Sequence, residues 1–266
     1  MKIRAVSVPL ITVDPFFSVW SPADKLTDNY TCHWTSRINS MLGMVKVDGK
    51  LFRFMGSMMP QGNAVYKTHP EALPQTDLDI TPTASIYTFE NDLLKLTVTF
   101  RTPLLMNDLV LMSRPVSYIE YNAELKGEYD FELYFDAGTE FACDWEADKI
   151  KFTKTERSLS VGKSVQTPLN ASGDDCRIGW GYFHLADKDA FVSDKLCRYN
   201  YIMNRELPKF EDFSRDDYTQ CAHRTLAVIK KETKGLIVLA YDDIKSIQYF
   251  GENLDPYYKT KYATFE

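Results

Sequence analysis

The sequence predicts an all-β fold, a sandwich or a barrel, on three observations. Aromatic residues make up 14% of the 266 residues, with 16 Phe and 16 Tyr, and aromatic side chains favour the half-buried surface of a pleated sheet. Apolar runs are short, and turn-forming residues interrupt them about every eight to twelve residues. Helical signals are few. We therefore expect one compact β unit at residues 41–266, with residues 1–40 as an irregular arm packed on it.

The strands can be placed from alternation and turn chemistry. The clearest pair flanks Asp48-Gly49, a dipeptide that tolerates the positive φ angles of a tight hairpin turn. A second pair surrounds "NDL" at 91–93, where apolar and polar residues alternate along "LLKLTVTFRTP". The stretch "VSYIEYNAELKGEYDFELYFD" repeats this pattern with Gly127 at the turn. Later strands are predicted within 149–162, 177–186 and 234–243.

One short helix is predicted at residues 241–250. Asp242 is a suitable N-cap, Ile244 and Ile247 are spaced by three, and Gly251 can end the helix. Residues 60–84 and 163–176 are long, polar and proline-bearing, so we expect surface loops there.

Composition excludes several classes of partner. The formal net charge of −6 argues against non-specific nucleic-acid binding, which needs a basic surface. No apolar run approaches the ~20 residues of a membrane helix. The N-terminus is a poor signal peptide, which favours a cytoplasmic protein unless a leader has been removed. We expect the five cysteines, which lack C-x-x-C spacing, to be structural free thiols, and these favour a reducing compartment. They are Cys32, Cys143, Cys176, Cys197 and Cys221.

Local catalytic motifs are missing. The sequence has no H-E-x-x-H and no G-x-S-x-G, and "VGKS" at 161–164 has Arg157 where a phosphate loop needs its first glycine. The four histidines are far apart in the sequence. We therefore predict no cofactor, no metal and no catalytic residue within this chain.

Three residues outside the arm are candidates for binding. Asp242 and Asp243 form an acidic pair that suits helix capping better than acid–base catalysis. Trp145 in "CDWEAD" is suited to stacking on a sugar, although packing within its loop is the commoner role. For Trp180 in "GWGYF" we expect strand packing.

The arm segment "VDPFFSVWSPADKLTDNYTCHWT" is dense in aromatic and acidic residues. Folding back on the sandwich would bury its aromatic side chains, and its acids would satisfy backbone donors in turns. That explanation does not account for His33, whose imidazole can titrate near neutral pH. The aromatics expected to be buried are Phe16, Phe17, Trp20 and Trp34. The candidate substrate-binding residues of the arm are Asp14, Trp20, Asp24, Asp28, His33 and Trp34.

Several long segments resemble the N-terminal region of the glutaminase A family of bacteria and fungi. They are "VPLITVDPFFSVWSPADKLTDNYTCHWT", "VKVDGKLFRFMG", "LTVTFRTPLLMNDLVLMSRPVSYIEY" and "LAYDDIKSIQYFGENLDPYY". One departure is Cys32, where the family is expected to carry a basic residue. The resemblance implies a two-sheet antiparallel β super-sandwich that precedes a helical toroid domain. It also implies hydrolysis of L-glutamine to L-glutamate and ammonia, with the main catalytic machinery beyond residue 266.

Three functional hypotheses remain open. The first is a non-catalytic β domain that scaffolds a glutaminase-like enzyme, with the toroid domain as partner and the arm along the cleft for a small amide or sugar substrate. The second is carbohydrate binding through Trp145 or Trp180. The third is a self-contained hydrolase built from paired carboxylates. A sandwich that normally docks on another domain exposes an apolar patch, so we also expect weak homodimers.

Overall fold

The structure is a computed structural model that describes residues 5–58, 70–170, 178–207, 221 and 224–266. The described part contains nineteen strands and two short helices. In chain order the strands are β1 (Val8–Thr12), β2 (Ser18–Ser21), β3 (Cys32–His33), β4 (Met41–Val47), β5 (Lys50–Met55), β6 (Glu71–Ala72), β7 (Gln75–Thr81), β8 (Ala84–Glu90), β9 (Leu94–Arg101), β10 (Val116–Leu125), β11 (Phe131–Gly138), β12 (Ile150–Lys154), β13 (Leu159–Lys163), β14 (Tyr182–Leu185), β15 (Phe191–Asp194), β16 (Arg224–Lys230), β17 (Lys234–Asp242), β18 (Ile247–Tyr249) and β19 (Glu252–Leu254). The helices are α1 (Leu109–Met112) and α2 (Lys195–Ile202). No helix of the described ranges is long and apolar enough to cross a membrane.

Two large sheets form the body of the molecule. One has eight strands in the order β12-β13-β14-β17-β10-β9-β8-β7, and the other has six in the order β15-β16-β11-β4-β5-β6. Their pairs are antiparallel except for the short parallel contact between β5 and β6. A three-stranded sheet, β1-β2-β3, and the separate hairpin β18-β19 complete the described part. The all-β, two-sheet prediction is confirmed.

The core lies between the two large sheets. Alternate residues of β9 face inward, so that Leu94, Leu96 and Val98 are fully buried. They share one apolar cluster with residues of β11 such as Leu133. The rings of Phe54 on β5 and Phe89 on β8 meet edge-on across the gap, with centroids 6.0 Å apart. The alternation read from the sequence therefore predicts the buried face correctly.

The predicted turns have mixed outcomes. Asp48 and Gly49 have φ angles of +48° and +76° and join β4 to β5 as a hairpin. Asn91 closes the β8–β9 turn by accepting the backbone N–H of Leu94 at 3.1 Å. The expected hairpin around Gly127 is wrong, because β10 pairs with β9 and β17 whereas β11 pairs with β4 and β16. The chain crosses here from one sheet to the other.

The predicted helix at residues 241–250 is also wrong. Tyr182 of β14 pairs with Asp242, so β17 stays extended to that residue. Ile244 then has a φ angle of +57°, which a right-handed helix does not allow. The prediction of a surface loop at residues 60–84 is wrong where β6 and β7 lie. An exposed edge strand needs few apolar residues, so its sequence resembles that of a polar loop. Residues 164–170 form a loop as predicted, whereas 59–69 and 171–177 lie outside the described residues.

A disulfide corrects the prediction that all cysteines are free thiols. Cys143 and Cys221 are bonded to each other and are both buried. Cys32 and Cys197 are free thiols, and Cys176 lies outside the described residues. The thiol-based argument for a reducing compartment is therefore lost.

The arm is more regular than expected, because it carries the β1-β2-β3 sheet. This sheet contacts the body where Ser85 Oγ donates to the carbonyl of Pro9 at 2.7 Å. Phe17 is buried, and Phe16 and Trp20 are half-buried. Trp34 is 51% exposed, so the prediction that it is buried is wrong. The division between an arm at 1–40 and a body at 41–266 stays a prediction.

Candidate functional site

His33 is held on both sides of its ring. The side chain is buried, with Nε2 2.8 Å from the carbonyl oxygen of Pro15 and Nδ1 2.8 Å from Thr35 Oγ1. A carbonyl can only accept, so Nε2 carries the proton and Nδ1 accepts from the threonine hydroxyl. This arrangement fixes the turn. It also engages both ring nitrogens of His33 in hydrogen bonds within the protein, whereas a proton carrier needs one of them for its substrate.

Trp34 and Arg37 lie in the turn that His33 anchors. The indole N–H of Trp34 donates to the carbonyl of Pro15 at 2.7 Å, while about half of its side chain stays exposed. The backbone N–H of His33 donates to the carbonyl of Arg37 at 2.7 Å and closes the turn. Trp34 is thus fixed in orientation and available to a ligand or to another domain.

Arg37 connects this turn to the loop that carries Trp145. Its guanidinium donates to Asp144 Oδ1 at 3.0 Å and lies 5.9 Å from the centre of the Trp145 ring. Trp145 is 66% exposed, and its backbone N–H donates to Asp148 Oδ2 at 3.1 Å. The structure therefore brings together the two tryptophan loops, residues 33–37 and 143–148. Sequence reasoning missed Arg37, although it lies three residues after Trp34.

Asp14, Asp242 and Asp243 form a second group, the carboxylate group. Asp14 Oδ1 accepts the backbone N–H groups of Phe16 and Phe17 at 2.8 and 2.9 Å. Asp242 Oδ1 accepts from Lys259 Nζ at 3.0 Å. Each of these contacts stabilises a turn or a chain segment, as expected for acids that satisfy local donors.

The charges of Asp14 and Asp242 act on Asp243, although more than two hundred residues separate Asp14 from the other two. Burial, opposed by a hydrogen bond from Ser246 and reinforced by the charges of Asp14 and Asp242, raises the pKa of Asp243 to about 6. The same three charges, after burial itself, raise the pKa of Tyr241. Its hydroxyl donates to the carbonyl of Trp180 at 2.5 Å. Trp180 is buried in the core, as expected for a packing residue, but it lies in the bend before β14 and not in a strand.

Asp243 gives the chain a testable pH dependence. Between the ordinary carboxyl pKa of about 4 and the folded-state value of about 6, the folded state retains a proton that the unfolded state releases. Stability therefore falls as the pH rises through this window. We expect Asp243→Asn, which keeps an acceptor for Ser246, to reduce that fall and to stabilise the chain above pH 6.

Urea unfolding of both proteins at pH values on either side of this window measures the effect. Asp255→Asn is a matched control, because its exposed carboxylate has its pKa lowered by Lys245. An unchanged pH dependence in Asp243→Asn would contradict the assignment.

The remaining arm candidates serve local structure or the surface. The Trp20 indole donates to Ser18 Oγ at 3.0 Å. Asp28 is exposed, and its charge supports the protonated form of Arg53. Asp24 is exposed as well. We place neither Trp20 nor Asp28 in the tryptophan loops or the carboxylate group.

One Ser–His contact was missed by sequence reasoning. Ser160 Oγ lies 2.6 Å from His184 Nδ1 across the β13–β14 pair, a register that strand alternation alone cannot reveal. Both side chains are buried, and the ring of Phe265 lies 4.0 Å from that of His184. Burial lowers the pKa of His184 to about 4. The serine hydroxyl is covered, so this contact is not an accessible nucleophile.

A buried ion pair was missed as well. Arg198 of α2 donates two hydrogen bonds to the carboxylate of Asp136 on β11, one from Nε at 2.6 Å. Tyr134 Oη donates to the same carboxylate at 2.6 Å, and its ring packs on Tyr201 with centroids 4.7 Å apart. This network fastens α2 to the outer face of the six-stranded sheet. Among the described residues, no three or more His, Cys, Asp or Glu side chains group as metal ligands.

Comparison with known proteins agrees with the resemblance seen in the sequence. The chain is 23% identical over 275 residues to a protein named Glutaminase A from Aspergillus oryzae (strain ATCC 42149 / RIB 40). The match covers 94% of this chain but 38% of that protein. The resemblance to the N-terminal region of glutaminase A is confirmed as a distant relationship, and the chain spans less than half the length of that relative.

Two family profiles also match. Residues 1–66 match a domain of unknown function (DUF4964), which includes the arm and the β4–β5 hairpin. Residues 83–266 match a second profile, which covers seven strands of the eight-stranded sheet and three strands of the six-stranded sheet. The chain therefore belongs to the family described as domain of unknown function (DUF5127).

Proposed function

We propose that this chain is the non-catalytic N-terminal β domain of a glutaminase-like amidohydrolase, which hydrolyses L-glutamine to L-glutamate and ammonia. The observation that carries the proposal is the extent of the match to Glutaminase A, almost all of this chain but 38% of the relative. A longer polypeptide with further domains is the expected context, and the chemistry is assigned to those domains.

The chemistry of the described residues supports a non-catalytic role. Amide hydrolysis needs an activated nucleophile or water and donors for the developing oxyanion. Ser160 is buried against His184, and Asp14 and Asp242 accept hydrogen bonds from turns and from Lys259. These groups hold the fold together. Asp243 is retained as a candidate that contacts the rest of the polypeptide.

The tryptophan loops are the part of this domain best suited to line a substrate cleft. Trp34 and Trp145 are exposed while Arg37 and backbone hydrogen bonds fix their loops. Rigid exposed aromatics lose little entropy on binding. They would form one wall of the cleft, with the glutamine side chain held by groups from the other domain.

Ammonia release from L-glutamine tests the assignment. We expect the complete polypeptide encoded by the same reading frame to release ammonia, and this 266-residue chain to release none above the buffer background. Glutamine turnover by this chain alone would instead support a self-contained hydrolase. An inactive complete polypeptide would contradict the proposed substrate.

Carbohydrate binding is a second candidate, favoured by the exposure of Trp145 above the Arg37 guanidinium. Indole faces of this kind stack on sugars. A saturable change in tryptophan fluorescence with an oligosaccharide, lost in Trp145→Ala, would favour this candidate. Lack of any such change across an oligosaccharide panel would remove it.

A further inference from the structure

Two elements of the described chain expose apolar residues and bury none of their own. Helix α1 consists of four apolar residues, and none of them is buried. The β18–β19 hairpin exposes all six of its strand residues, on both faces. Apolar helices are normally covered, and isolated two-stranded hairpins are marginally stable in water. The described residues therefore leave both elements less covered than their composition requires.

The exposed apolar side chains of the described residues concentrate at these elements. Of twenty large exposed hydrophobic residues, five lie in 104–112 and six in 247–262. They are Leu104, Leu105, Met106, Leu109, Met112, Ile247, Tyr249, Phe250, Leu254, Tyr257 and Tyr262. The two segments adjoin, because α1 packs against the 3₁₀ turn at Tyr257–Thr260. We call residues 104–112 and 247–262 together the apolar surface. Exposed apolar side chains concentrated in this way mark an interaction site.

The backbone at the tip of the β18–β19 hairpin is strained in the isolated chain. Phe250 and Gly251 form the two-residue turn, with φ angles of +46° and +87°. The left-handed conformation suits asparagine or glycine at such positions and is unfavourable for a residue such as phenylalanine. The side chain of Phe250 is also 92% exposed. Strain of this kind is characteristic of functional sites, and a large aromatic at a tip is a typical interface anchor.

The base of the hairpin is fixed by polar contacts. Lys245 Nζ and Asp255 Oδ1 are 2.7 Å apart across it, and the backbone N–H of Ser246 donates to the carbonyl of Leu254 at 3.0 Å. Ser246 Oγ donates to Asp243 Oδ2 at 2.9 Å. The hairpin therefore projects in a set direction, which reduces the entropy lost when its tip is bound.

We propose that the apolar surface is the docking face for the remainder of the longer polypeptide, with Phe250 as its anchor. This inference rests on the proposed function, because the relative extends far beyond the 38% that this chain matches. An apolar face covered permanently within one polypeptide avoids the aggregation that it would otherwise promote. A second copy of this chain is the competing occupant.

Amide hydrogen exchange, measured on this chain and on the complete polypeptide, tests the proposal. In the complete polypeptide we expect exchange to slow by at least about tenfold in 104–112 and 247–254, because docking suppresses the local opening that exchange requires. Helix α2, on the other large sheet, serves as the internal control and should exchange equally in both proteins. Equal exchange of the apolar surface in the two proteins would overturn the proposal.

A variant pair separates docking from hairpin stability. Phe250→Asn removes the ring but places a residue that favours this turn, so the hairpin itself should persist. In the complete polypeptide it should restore faster exchange in 104–112, which lies outside the hairpin. Leu196→Asn, on an exposed residue of α2, is the matched control and should change nothing in the apolar surface. Identical exchange in both variants would argue against Phe250 as the anchor.

Two further readouts distinguish the alternatives. Protection of the apolar surface that grows with the concentration of this chain alone would assign the face to a second copy and overturn the proposed occupant. Ammonia release from glutamine by the same complete polypeptide reports on the proposed function separately. Activity without protection overturns only the docking proposal, whereas protection without activity supports docking and contradicts the substrate.

Discussion

Replacing Arg198 by methionine is expected to lower the free energy of unfolding by about 3–5 kcal/mol, the usual cost of leaving a buried charge unpaired. The carboxylate of Asp136 is fully buried in the outer face of the six-stranded sheet. Arg198 neutralises it through two hydrogen bonds, and Tyr134 supplies a third. Without the guanidinium, the negative charge would stay in a site that water does not reach.

The control for this prediction is the double variant Arg198→Met with Asp136→Leu. It removes both charges, so most of the lost stability should return. Lys126→Met is a second control, because the Lys126–Glu90 pair is exposed and 2.7 Å long, and exposed pairs contribute little to stability. Urea unfolding measures all three variants. A loss below about 1 kcal/mol in Arg198→Met, or no recovery in the double variant, would contradict the account.

Removing the Cys143–Cys221 disulfide, by replacing both residues with alanine, is expected to cost about 2–5 kcal/mol. The bond joins positions 78 residues apart, so it removes much conformational freedom from the unfolded chain. Its loss should also loosen the tryptophan loop at residues 143–148. Cys143 begins that loop, and the backbone N–H of Cys221 donates to the carbonyl of Asp148 at 2.9 Å. Alanine suits both positions because they are buried.

Thermal unfolding with and without a thiol reductant measures this effect. The unmodified chain should lose stability in reductant, and the double alanine variant should not respond to it. Cys32→Ala is the matched control, because Cys32 is a free thiol, and it should keep the response of the unmodified chain. A Tm of the unmodified chain that reductant leaves unchanged would show that this bond does not contribute.

The sequence predicts the fold class well because β alternation and turn chemistry are local signals. The pattern of Leu94, Leu96 and Val98, and the Asp48-Gly49 turn, can each be read within ten residues. The helix predicted at 241–250 failed because pairing of β17 with β14 overrides a local capping signal. The prediction of a hairpin at Gly127 failed because no local sequence signal determines whether two successive strands join the same sheet.

The candidate site was only partly predictable for the same reason. Asp14 and Asp243 were singled out separately, and only the packing of the arm on the body places them in one electrostatic group. Arg37 connects Trp34 to Trp145 through Asp144, a contact between residues more than one hundred positions apart. The disulfide likewise depends on two distant segments. Such contacts follow from the topology of the two sheets and have no signature in a short window.

The exposed apolar surface could have been inferred in part. The segment "LLMNDLVLM" is almost wholly apolar, and the absence of a helical or strand period long enough to bury it is visible in the sequence. What the sequence does not provide is the contact between α1 and the 3₁₀ turn at Tyr257–Thr260, which makes one surface out of two segments.

The central claim is that this chain is one part of a longer glutaminase-like polypeptide, and the most direct measurement is to sequence its reading frame past the codon for Glu266. Because the chain matches 38% of its relative, the account predicts several hundred further codons with helical periodicity. A stop codon directly after Glu266 would contradict it, and binding by a stand-alone sandwich would then become the leading function.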